Sequence, residues 1–142
     1  MAFEPIRQHI KTKLEGIAQI QAVYDYPEAD YSGFPVALLV TNRNEAEFET
    51  TVHNKRIYIF ALYIIQDFTE VGMKKARRTV EGVVDVVLDN FANDQQLSGI
   101  SLPGSEILII SQPLLSEIRT DDDAKYVIAE MEIKVVTQYQ IT

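Results

Sequence analysis

Nine consecutive apolar residues, IYIFALYII at positions 57–65, constrain this chain more than any other feature. The run is too short for a membrane-crossing helix, which needs about 20 residues, and its isoleucines and aromatic rings favour an extended backbone. Written as a strand it is apolar on both faces. Ile57, Ile59, Ala61 and Ile65 lie on one side, and Tyr58, Phe60, Leu62 and Ile64 on the other. A central strand covered on both sides by its own chain satisfies this pattern. So does a strand whose second face meets another subunit.

The flanking segments supply candidate cover. Over residues 3–18, Phe3, Ile6, Ile10, Leu14 and Ile17 recur at spacings of three and four, which predicts an amphipathic helix with Pro5 in its first turn. IQAVYDY, at 20–26, reads as extended and PVALLVT, at 35–41, as a short buried strand. The polar stretch NRNEAEFETTVHN, at 42–54, is expected to be a loop or a solvent-facing arm. A second helix over 69–94 presents Ala76, Val80, Val83, Val84, Val87 and Phe91 on one stripe. Its valines lower helix propensity, so burial must hold it. After a loop at 93–105, two more strands, EILIISQPLL and KYVIAEMEIKVVTQYQI, are joined across RTDDDA. In the last strand Val127, Ala129, Met131, Ile133 and Val135 alternate with Glu130, Glu132 and Lys134, so one face meets a core and the other meets water or a polar partner. The expected fold is α+β: one domain over 1–142, with a mainly antiparallel sheet of four to five strands and two helices packed on one face. A chain of this length buries roughly 68–70% of its unfolded surface, enough for one core without staples.

Catalytic and metal chemistry finds little to work with. The chain has no cysteine, which removes disulfides, thiolate nucleophiles and the usual structural zinc sites. His9 and His53 stand far apart without ligand-like neighbours. Asp121, Asp122 and Asp123 lack the alternating ligands, central glycine and closing glutamate of a calcium loop. Glu130 and Glu132 share a strand face about 6.5–7 Å apart, a separation glycosidases use, but such pairs are common on solvated strands. Neither a nucleophile elbow nor a phosphate-binding loop occurs. The chain is expected not to be an enzyme and to need no cofactor. With 21 acids against 13 bases the net charge is −8, which disfavours binding a phosphate backbone. The first residues, MAFEPIRQHIKTKLEGI, lack the apolar stretch and cleavage site of a signal peptide, so neither export nor a membrane is expected.

Contact surfaces are the remaining theme. VYDYPEADYSGFP, at 23–35, crowds Tyr24, Tyr26, Tyr31 and Phe34 together with two prolines and Gly33. Tyrosine offers broad contact area with few rotatable bonds, so the segment suits a docking element; it also suits a loop packed on its own core. MKKARR, which contains Lys75 and Arg78, and the acids Glu45, Glu47 and Glu49 of EAEFE are either solvated faces or the two halves of a head-to-tail contact between copies.

Taken together, VYDYPEADYSGFPVALLV, then NEAEFETTVHNKRIYIFALYIIQ, a long amphipathic helix and a closing AEMEIKVVTQYQI strand resemble the small tail terminator, or tail completion, proteins of long-tailed bacteriophages. The resemblance implies helices packed on a sheet and a ring, expected to be a hexamer, on the finished end of the tail tube. The ring would stop tube polymerisation and present a docking face to the head connector. It implies no catalytic residues. The expected partners are further copies of the chain, the tail tube protein and the head-connector protein, and the expected location is the virion tail, assembled in the bacterial host cytoplasm. DNA would pass through the lumen without being bound. Asp121, Asp122, Asp123, Glu130 and Glu132 are candidates for the lumen lining, where carboxylates repel phosphate within a Debye length of about 8 Å. Tyr26, Tyr31, Phe34, Glu45, Glu47, Glu49, Lys75 and Arg78 are the candidate interface residues. A head-closure or neck protein of the same virion and a small ligand-binding module are the alternatives.

Overall fold

A computed structural model of the chain describes residues 3–27, 31, 33–48, 53–69, 71–103 and 106–140. The elements run α1 (Phe3–Glu15), β1 (Ala22–Tyr24), β2 (Val36–Phe48), β3 (His53–Asp67), α2 (Met73–Ala92), β4 (Ile107–Asp121) and β5 (Tyr126–Gln140). The five strands form one sheet in the order β1-β2-β3-β5-β4, which puts the doubly apolar run of β3 in the middle. The fold is α+β as expected, but the sheet is mixed. β1 runs parallel to β2, and the other neighbouring pairs are antiparallel.

Burial explains the helices. Ile6, Ile10 and Leu14 of α1 and Ala76, Val80, Val83, Val84, Val87 and Phe91 of α2 join the same cluster as Leu39, Tyr58, Phe60, Leu62 and Ile64 and the inward row Val127–Val135 of β5. The valine-rich α2 is therefore held by the sheet beneath it, against its own modest propensity. α1 packs on β1 and β2, whereas α2 packs on β3, β4 and β5. Phe3 sets its ring edge against Tyr58 and Phe60, with centroids 4.9 and 5.7 Å apart.

Several boundaries differ from the hydrophobic pattern. α1 stops at Glu15 because the Gly16 N–H is shared between the carbonyls of Thr12 and Lys13, at 3.2 and 3.3 Å, which tightens the last turn. α2 starts at Met73, not Thr69. The N–H and hydroxyl of Thr69 both donate to the Asp67 carboxylate, at 2.7 and 2.5 Å, forming a turn, and Gly72 at φ 83 occupies a backbone region that side-chain-bearing residues avoid. The polar stretch after Thr41 is strand rather than loop, since β2 pairs with β3 as far as Phe48↔Asn54. β4 likewise continues through Ser116–Asp121, beyond the apolar segment that announced it. In both cases backbone hydrogen bonds extend the ladder without needing apolar side chains.

The second face of β3 is covered within the chain. Two parallel neighbours need a crossover connection, and here the described residues Tyr31 and Phe34 of the β1–β2 connection lie on the face opposite the helices. Tyr24, Tyr31 and Phe34 pack there with Tyr126 and Ile128 on Val36, Leu38 and Ile65. Ile57, Ile59, Ala61 and Ile65 are only 7, 2, 9 and 4% exposed. Of the two ways to satisfy the apolar run, cover by the same polypeptide is the one present, and that row offers no bare surface to a second subunit.

Candidate functional site

The face of the sheet opposite the helices carries four of the residues singled out from the sequence, Tyr31, Phe34, Glu130 and Glu132. Tyr31 and Phe34 point into its aromatic cluster. Tyr31 meets Tyr24 at 5.2 Å and Tyr126 at 6.4 Å between centroids, and Phe34 meets Tyr126 at 5.5 Å. Tyr26, by contrast, stands in solvent at 56% exposure. The structure therefore separates the trio: two rings serve the chain's own packing and the third is largely exposed. A shallow apolar notch of about 270 Å³ opens beside them, lined by Tyr31, Leu38, Tyr63, Ile65, Tyr126 and Ile128 among others.

Further along the same face, register brings charges together. Arg119 on β4 reaches Glu130 on β5 at 2.9 Å and Glu117 at 3.1 Å, and its guanidinium lies 6.0 Å from the Tyr63 ring centroid. The Tyr63 hydroxyl donates to Glu130 at 3.5 Å. Burial raises the Tyr63 pKa above its ordinary value, and the neighbouring Glu130 charge raises it further. Glu130 thus spends its charge on Arg119. Glu132 stands level with Ala61 on β3 and Leu114 on β4. The two glutamates do not form a bare carboxylate pair. Asp121, Asp122 and Asp123 are exposed at the β4–β5 turn, where Asp121 accepts the Ala124 N–H at 3.1 Å, the ordinary work of aspartate in a turn.

Lys75 and Arg78 are exposed near the start of α2, beside Lys74 and Arg77. α2 lies over β3, β4 and β5, and the described part of the acidic arm belongs to β2, the neighbour of β3 in the sheet. The side chains of Glu45 and Glu47, and all of Glu49, lie outside the described residues. Among the described residues no group of three metal-ligating side chains comes together, and no helix is long and apolar enough to cross a membrane. A polar cleft of about 500 Å³ lies between residues 96–102 and 106–108.

Two polar junctions escaped the sequence reading. The Glu106 side chain, 5% exposed, accepts the Tyr58 hydroxyl at 2.7 Å and the Thr137 hydroxyl at 2.5 Å, with Arg56 at 4.0 Å. This carboxylate ties the start of β4 to β3 and β5. Asp94, just past α2, accepts the Ser98 N–H at 2.9 Å, the Ser98 hydroxyl at 2.7 Å and Lys13 of α1 at 3.0 Å. Chiefly the two Ser98 bonds, then Lys13, lower its pKa to about 2. Both junctions are structural, and neither presents a reactive group to a bound molecule.

No family model matches the sequence, and no curated protein matches it. Among solved structures the fold is similar to a chain of the virion of a native gene transfer agent particle, with a TM-score of 0.64 at 11% sequence identity, covering 96% of this chain and 95% of that one. At that identity the likeness is one of fold.

Proposed function

We propose that this protein is a structural component of a phage-like virion, and that it forms a ring that caps the tail tube, ends its polymerisation and offers a docking face to the head connector. The observation that carries the reading is the end-to-end likeness of fold to a virion chain, with nearly the whole of both chains covered. The order of elements agrees with the layout that the tail terminator resemblance implies. Because the apolar row of β3 is buried in the single chain, contacts between copies must use other surfaces. Ile107, Ile109 and Leu114 on the outer strand β4 and Tyr26 beyond β1 are exposed apolar or aromatic groups suited to that use. The exposed Asp121–Asp123 turn supports a lumen that repels DNA better than Glu130, whose charge Arg119 already balances.

The test is native mass spectrometry of the purified protein together with negative-stain imaging after mixing with purified tail tubes of the phage or phage-like particle whose genes accompany it. Rings seated on tube ends, with tubes of defined length when polymerisation runs in its presence, are the expected result. Rings found on filled heads and never on tubes would assign the neck of the same virion. A protein that stays monomeric and ignores both would refute the virion reading.

A further inference from the structure

The exposed face of α2 carries its charges in the unfavourable order. Lys74, Lys75, Arg77 and Arg78 crowd the first two turns, and Glu81, Asp85 and Asp89 follow, all exposed. The first turn holds no acid and the last turn no base, so the cations sit at the positive end of the helix dipole and the anions at the negative end. Along the helix Lys74 and Arg78, Glu81 and Asp85, and Asp85 and Asp89 are like-charged neighbours four residues apart, which repel. Arg77 pairs with Glu81 at 3.3 Å. Among the described residues Lys74, Arg78, Asp85 and Asp89 make no ion pair. Gly82 adds a further cost. It lies in the middle of the helix, where glycine is a poor choice, although a Cβ built there would meet nothing within 4 Å. Among the described residues nothing requires either the charge order or the glycine.

Both make sense around a two-fold axis. If a second α2 lies antiparallel across this face, with the axis between Glu81 and Gly82, Lys74 faces Asp89 of the second copy and Arg78 faces Asp85. The same operation sets Glu81 opposite Gly82, whose missing side chain gives the acid room and lets the helices approach. The four charged positions fall on one stripe at helical spacing, centred on the gap between residues 81 and 82. We propose that the exposed face of α2 is a self-complementary docking surface for α2 of a second copy, held by reciprocal Lys74–Asp89 and Arg78–Asp85 pairs with Gly82 at the crossing. The contact is isologous and closes at two copies. It is separate from any ring, so failure to cap tubes would leave it intact, and its own failure would leave the ring reading intact.

The full chain is studied by sedimentation velocity at about 0.01 M salt, where the Debye length is about 30 Å, and again at about 1 M, where it is about 3 Å. Pairing is expected at low salt and loosening at high salt. Arg78→Glu and Asp85→Arg should each weaken pairing about tenfold or more, and the double variant should recover it, because the charges are swapped on both copies. Positions 78 and 85 are about 10.5 Å apart along one helix, too far for recovery to arise within the chain. Gly82→Gln should raise thermal stability, as a better helix former, while weakening pairing, a split that a purely structural glycine does not give. A monomer at every concentration in low salt, single reversals without effect, or a double variant no better than the singles would overturn the proposal.

Discussion

Replacing Glu106 by alanine is expected to be among the most damaging single changes available outside the apolar core. Tyr58 and Thr137 are fully buried, and both hydroxyls donate to the same Glu106 oxygen. Hydrogen bonds to a charged acceptor contribute about 1.5–3 kcal/mol each. Truncation leaves two buried hydroxyls without this acceptor and removes the carboxylate near Arg56, so the expected loss is about 3–5 kcal/mol. Against a total stability of about 5–15 kcal/mol this is a large fraction. At a urea slope of about 2 kcal/mol/M, the unfolding midpoint should fall by about 2 M with the slope unchanged. Glu106→Gln makes the reasoning sharper. A carboxamide oxygen has two lone pairs and can accept both hydroxyls, so glutamine should lose only about 1 kcal/mol, from the weaker neutral bonds and the lost attraction to Arg56. An alanine variant less than about 1 kcal/mol below the parent, or a glutamine variant as damaged as alanine, would refute this account of the junction.

Asp94 has a folded pKa lowered from 3.8 to about 2, so the stability it contributes is present above pH 4 and lost as pH falls through 2. Screening at this partly exposed site limits the effect to about 1 kcal/mol. Urea midpoints followed from pH 5 to 2 should fall less steeply in Asp94→Asn than in the parent, and equal slopes would contradict the assignment. Tyr126→Ala removes a ring against which both Phe34 and Tyr31 pack; a loss of about 2–4 kcal/mol is expected, with faster proteolysis between residues 25 and 35 as its local signature. Arg119→Ala breaks partly exposed ion pairs and a long contact with the Tyr63 ring and should cost no more than about 1 kcal/mol, measured by the same urea titration.

Much of the frame was legible because it follows from periodicity. The stripe Ala76–Phe91 identified α2, and the alternation Val127–Val135 identified β5 together with the side it buries. What escaped depends on pairings between distant segments. The polar residues Asn42–Phe48 give no apolar signal, yet the ladder to β3 makes them strand. The parallel β1–β2 pair cannot be read from a three-residue strand. Tyr31 and Phe34 were visible as rings, but their direction depends on where the connection crosses, and only Tyr26 was left outside. Glu106 had no pattern at all: a lone glutamate before a strand acquires its meaning when Tyr58 and Thr137 are brought to it. The charge order of α2, in contrast, was in plain sight in MKKARR and the acids after it. It gained significance once the helix face bearing it proved to be exposed.

The route of the first 34 residues has a consequence for how a partner could gain access to the molecule. α1 presses on β1 and β2 from one side, and Tyr24, Tyr31 and Phe34 press on Val36, Leu38 and Ile65 from the other. The amino-terminal part works as a clasp, with β1 as the pin between its two jaws. Tyr31 lines the notch that leads to Ile65, so an incoming side chain meets Ile65 beside the tyrosine jaw, whereas Ile64 is fully buried in the core beneath the helices. Cutting the clasp away would bare both faces of β2 at once, so a shortened chain starting at Val36 should clump rather than persist as a smaller soluble fold.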